Sequence, residues 1–116
     1  MNNFKELKVW QKSVDLAVKI YRSTGTFPRE EIYGLTSQIR RSAVSIPSNI
    51  AEDAGRNSKK DFNNFLGISN GSSCELETQP IIANRVKFLS EPILMSLQED
   101  IAEIQKMNWA LQKSLI

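Results

Sequence analysis

Most of the chemistry this sequence can offer is cationic. Lys5, Lys8, Lys12, Lys19 and Arg22 are separated by 3, 4, 7 and 3 residues, so on a helix they share one stripe, interrupted by Asp15. Such a stripe can track a phosphate backbone. It can equally be a solvated helix face whose lysines confer solubility. A second group, Arg56, Lys59 and Lys60, sits where a helix is predicted to begin, so backbone donors and positive charge would coincide as an anion site. Arg40 and Arg41 are adjacent and project about 100° apart on a helix, so one of them must meet a neighbouring helix or subunit.

Other chemistries find few parts. The chain has no histidine, which removes the commonest general base, the commonest transition-metal ligand and the partner a nucleophilic cysteine needs. Cys74, the one cysteine, lies among small residues and is expected to be a buried, inert thiol. Glu75, Glu77, Glu99, Asp100 and Glu103 fall mostly off the apolar seams and read as a solvated face. A di-metal bundle would need Glu-x-x-His pairs, which cannot be assembled here. We therefore expect no metal, no cofactor and no enzymatic activity. One cysteine without a pairing partner in the chain fits a reducing cytoplasm. The first residues, MNNFKELK, lack the apolar core of a secretion signal, and no apolar run approaches the roughly 20 residues that cross a bilayer. With a net charge of +2, any electrostatic attraction to nucleic acid has to come from local clustering.

The elements that would position these residues are helical. A length of 116 residues, 41% apolar and 24% charged, suits a single soluble domain over 1–116. Helix one, about 5–24, carries a seam of Leu7, Trp10, Val14, Ala17 and Tyr21, widened by Val9, Leu16 and Ile20. Helix two, about 29–54, opens after Pro28 and presents Leu35, Ile39, Ala43, Ile46 and Ile50 along one stripe, with Pro47 inside it. An interior proline costs roughly 3 kcal/mol. A bend is expected there, held by Ser48 or Asn49 bonding a freed carbonyl and by a Glu52–Arg56 pair, with Gly55 ending the helix. Pro47, Asn49, Glu52 and Gly55 thus form a structural motif. Helix three, about 59–89, starts with Ser58 and Asp61 in a capping-box arrangement. Its middle holds Gly67, Ser69, Gly71, Ser72, Ser73 and Cys74, a composition that predicts a tight helix crossing. Pro80 lies deep in the pattern and should kink or break it. Helix four, about 92–114, has the cleanest heptad: Leu94, Leu97, Ile101, Ile104, Asn108, Leu111 and Leu115, in which Asn108 could fix register or partner number. Four helices and short turns predict an all-α, antiparallel up-and-down four-helix bundle.

Several strings in the chain are specific beyond this pattern. WQKSVDL in helix one, the run from Phe27 through Glu52 containing FP, YGL and QIRRSAVSIPSNIAE, then GR-x-S-x-KDF, and finally ELETQ resemble the four-helix bundle proteins encoded within 23S ribosomal RNA intervening sequences. The resemblance implies a ring-like homopentamer. It also implies kinship with the accessory variability determinant of diversity-generating retroelements, a basic pentamer that works with a reverse transcriptase and nucleic acid. Two positions depart from the family pattern: Asp53 stands where glycine is usual, and Pro80 where an aliphatic residue follows ETQ. The expected function is non-enzymatic binding of structured RNA or DNA through Lys5, Lys8, Lys12, Lys19, Arg22, Arg40, Arg41, Arg56, Lys59 and Lys60. The alternative is a protein-interaction scaffold that never touches nucleic acid.

Overall fold

The computed structural model describes residues 3–54 and 58–114, with the side chains of Asp53 and Phe65 excepted. Four helices follow in order: α1 (Lys8–Ser23), α2 (Leu35–Ala54), α3 (Lys59–Arg85) and α4 (Glu91–Ser114). Short 3-10 segments, Phe4–Glu6 and Arg29–Glu31, precede α1 and α2. Each helix packs on its two cyclic neighbours, α1 on α2 and α4, and α3 on α2 and α4, so α1 and α3, and α2 and α4, stand on the diagonals. Cross-helix bonds give the directions. Ser45 pairs with Ser72 while Ile46 meets Ser69. Ser73, Asn70 and Asn63 on α3 meet Gln105, Asn108 and Gln112 on α4 in turn. Falling numbers against rising ones mean antiparallel helices, so the predicted up-and-down bundle is the fold observed. It measures 43 × 23 × 20 Å.

The apolar stripes of α2 and α4 are buried as their spacing predicts: Ile39, Ala43, Ile46 and Ile50 face Leu94, Leu97, Ile101 and Ile104 across one core. On α1 the centre of the stripe lies elsewhere. Val9, Ser13, Leu16, Ala17 and Ile20 are buried, Leu7 and Trp10 are half-buried, and Tyr21 is exposed. The large amphipathic rings stand at the border, where their polar atoms keep water. Ser13 is small enough for the centre because its hydroxyl bonds the carbonyl of Trp10 at 2.9 Å.

Element ends follow local chemistry. Helix two does not begin at Pro28. Arg29–Glu31 form a single 3-10 turn, and α2 starts at Leu35, whose N–H donates to the Glu31 carboxylate at 3.1 Å. At the other end of the chain order, Ser58 caps α3 by accepting from the Asp61 N–H at 3.1 Å. Helix α3 stops at Arg85 rather than 89 because Lys87 adopts φ 69°. With Lys87 N–H donating to Asn84 (3.0 Å) and Phe88 N–H to Ala83 (2.8 Å), this is a Schellman ending built without glycine. Phe88 then packs on Phe27 of the α1–α2 connection, ring centroids 5.8 Å apart.

Both interior prolines are buried inside continuous helices. Pro80 therefore does not break α3. Near Pro47 the expected side-chain bond exists, but Asn49 donates to the carbonyl of Ser45 (2.8 Å) and to its hydroxyl (2.9 Å). The carbonyl that a proline at 47 strips of its donor is that of Ala43, so Asn49 braces the adjoining turn. Ser69, fully buried on α3, donates to the Ile46 carbonyl at 3.3 Å. The tight α2–α3 crossing is thus made by serines. Gly67 and Gly71 are exposed, and a Cβ at Gly71 would meet nothing within 4 Å. Cys74, expected to be buried, is exposed on the outer side of the same helix.

Candidate nucleic-acid interface

The cations that share a stripe in sequence are divided by the fold. Lys5 lies in the 3-10 segment ahead of α1 and is exposed, as are Lys8 and Arg22 on the helix itself. Between them, Lys12 and Lys19 turn to α4. Lys12 Nζ lies 2.8 Å from Glu103, and Lys19 Nζ lies 2.7 Å from Asp100 and also donates to Ser96. The hydrogen bond to Glu103, with its negative charge, raises the Lys12 ammonium above its ordinary range. Two of the five stripe cations are therefore already matched to carboxylates, which lowers what they can offer a phosphate.

Arg40 and Arg41 separate as adjacent helix residues must. Arg40 reaches α1, with Nε donating to the Thr24 hydroxyl (2.9 Å), Nη2 to the Tyr21 carbonyl (3.4 Å), and the guanidinium stacked 4.7 Å from the Tyr21 ring centroid. Arg41 is exposed and lines a polar cleft between α2 and α3 together with Ser45, Ser72, Glu75 and Gln79. Lys59 and Lys60 are exposed in the first turn of α3, which has Ser58 and Asp61 at its start. Arg56 and Gly55 lie outside the described residues, and with them the expected partner of Glu52. Of the ten cations singled out from the sequence, Lys5, Lys8, Arg22, Arg41, Lys59 and Lys60 are exposed, and none of these has a carboxylate partner among the described residues.

Asn108 is fully buried and works inside the bundle. Its amide nitrogen donates to Ser69 (3.3 Å) and Asn70 (3.2 Å) of α3. It sets α3–α4 register within one chain, where the heptad alone left open a role between chains.

Residue-type reasoning passed over the α1–α2 connection. Arg29 and Tyr33 are both exposed there, Tyr33 at 95%. The available signal was an aromatic beside a glycine in a turn, FPREEIYG, where apolar burial has no use for a ring.

A profile of the 23S rRNA-intervening sequence protein family matches residues 5–110. The chain belongs to that family. The fold agrees: a crystal structure of a protein of unknown function, from the S23 ribosomal protein family of Bacteroides thetaiotaomicron VPI-5482, superposes with a TM-score of 0.83 at 29% identity, covering 90% of this chain and 95% of that one. No functionally curated protein matches. Family membership thus accounts for the bundle and for the long motif on α2. Among the described residues no helix is long and apolar enough to cross a membrane.

Proposed function

We propose that this family member is a non-enzymatic, cytoplasmic, oligomeric bundle that binds structured RNA or DNA through phosphate contacts. The observation that carries this reading is that Lys5, Lys8, Arg22, Arg41, Lys59 and Lys60 are exposed and have no carboxylate partner among the described residues, whereas Lys12 and Lys19 of the same α1 stripe are paired with α4. Lys12 and Lys19 contribute less, because they already pair with Glu103 and Asp100 of α4. Kinship with the retroelement accessory protein, as the resemblance implies it, adds a reverse transcriptase as a possible protein partner.

Oligomer formation has support of its own. Gly67 and Gly71 cost helix α3 about 1 kcal/mol each against alanine. Within the chain, neither is required by a close neighbour. Ile68 and Ile82 are exposed on the same helix, and Val86 just past its end. Glycines beside uncovered aliphatics let a second backbone approach closely, which favours packing of copies through α3. The five-copy ring is the arrangement the resemblance implies, and multi-angle light scattering tests it: a monomer at micromolar concentration overturns it.

Fluorescence anisotropy with the rRNA intervening sequence and with a random duplex tests nucleic-acid binding. Affinity falling steeply between low and physiological salt is the expected result. Absence of binding at low salt, with the oligomer intact, eliminates the reading in favour of a protein-interaction scaffold.

A further inference from the structure

The α1–α2 end of the bundle contains a surface cavity of about 230 Å³ lined by Thr24, Phe27, Arg29, Ile32, Thr36 and Arg40. Two of its walls are arginines. Arg40 is fixed by its bonds to Thr24 and Tyr21 and by stacking on the Tyr21 ring, so its position is set before any ligand arrives. Thr36, only 5% exposed, has a buried hydroxyl oxygen with no hydrogen-bond partner. One residue beyond Ile32, Tyr33 stands 95% exposed. A ring left this bare gains nothing for the fold, whereas a nucleobase gives it a planar partner.

We propose that this end of the molecule holds an unpaired nucleotide, its phosphate between Arg29 and Arg40 in the cavity and its base stacked on Tyr33. This rests on the nucleic-acid reading and narrows it from duplex phosphates to a single-stranded loop, bulge or end. A duplex can supply the phosphate but not a free base face, because its bases are stacked on one another. Glu30, exposed on the same turn, is the opposing charge, and Glu31 is occupied at the start of α2.

The test compares a labelled twelve-nucleotide oligouridylate with a duplex of equal length, by anisotropy on the intact oligomer. Tyr33→Ala should weaken oligouridylate binding about tenfold, in keeping with the loss of one base–aromatic stack, and leave duplex binding unchanged. Tyr33→Phe should restore it. Arg29→Ala should weaken the same complex and flatten its salt dependence, while Glu30→Gln should tighten it. Equal losses for both nucleic acids, or none in Tyr33→Ala while the duplex still binds, overturn the unpaired-nucleotide site and leave the phosphate reading standing. Failure of both nucleic acids to bind overturns both. A Tyr33→Ala protein with altered light scattering would assign the ring to a contact between copies, which also overturns the site.

Discussion

The α3–α4 and α1–α4 seams are both closed by polar side chains, yet they stand on opposite sides of the water boundary. In the first, Asn108 and Ser69 bond inside the core, both fully buried. In the second, Lys12–Glu103 and Lys19–Asp100 are ion pairs whose side chains remain between about a third and a half exposed. The charged contacts have the shorter distances, but exposed pairs give back most of their attraction in solvation and side-chain entropy. The neutral bonds have no water to return to. Specificity of register therefore belongs to the amide and the serine, while the ion pairs mainly keep two lysines occupied.

The largest effect should come from filling the buried seam. Ser69→Leu puts four side-chain heavy atoms where serine has two, removes the hydroxyl that bonds Ile46 and Asn108, and should destabilise by about 3 kcal/mol in urea denaturation. Asn108→Ala, which removes two bonds and opens a cavity, should cost about 2 kcal/mol. If either changed the midpoint as little as a surface substitution does, the contrast between the seams would collapse. The same contrast can be tried on the backbone. Pro80→Ala removes a buried penalty of roughly 3 kcal/mol and forfeits about 1.5 kcal/mol of ring burial, so thermal unfolding should show a net gain of about 1–2 kcal/mol. A gain fixes the departure at Pro80 as a standing cost; no gain means α3 compensates for it. Lys87→Gly relieves the positive φ at an exposed site and should add about 1 kcal/mol.

The smallest effect is expected at the exposed pair. Lys12→Met should leave the denaturation midpoint at neutral pH essentially where it is. Because the hydrogen bond and charge of Glu103 raise the Lys12 ammonium, whatever the pair contributes is complete below the unfolded value near 10.5 and disappears as pH rises through the higher folded value. A stability curve for Lys12→Met parallel to the parent between pH 6 and 9, converging on or crossing it only in strong alkali, would agree. A large neutral-pH loss would show that burial is not what separates the two seams.

Much of this fold could be read from residue spacing, because aliphatic side chains of α2 and α4 have one place to go. Ile39, Ala43, Ile46 and Ile50 needed no tertiary knowledge. The errors arose where a residue type serves two purposes. Trp10 and Tyr21 count as apolar in a periodicity yet stand at the edge of the core. Small residues on α3 promised one crossing, but the serines turned inward with their own hydrogen bonds while Gly67, Gly71 and Cys74 turned outward. For the candidate interface, spacing put Lys8, Lys12, Lys19 and Arg22 on α1 and could not tell which would meet a carboxylate. Lys12 and Lys19 find theirs about eighty to ninety positions away, a distance no local pattern spans.

The antiparallel course gives the bundle two unlike poles. Residues 3 and 114, the described ends, lie at one pole, since Lys12 meets Glu103 and α1 and α4 run in opposite senses from there. The other pole carries both tight connections, joined by the Phe27–Phe88 pair, and with them Arg29, Tyr33 and the cavity. For anyone attaching the molecule to a surface or a fluorophore, this is a handle and a working tip: a tag at either end lies most of a 43 Å body away from Tyr33.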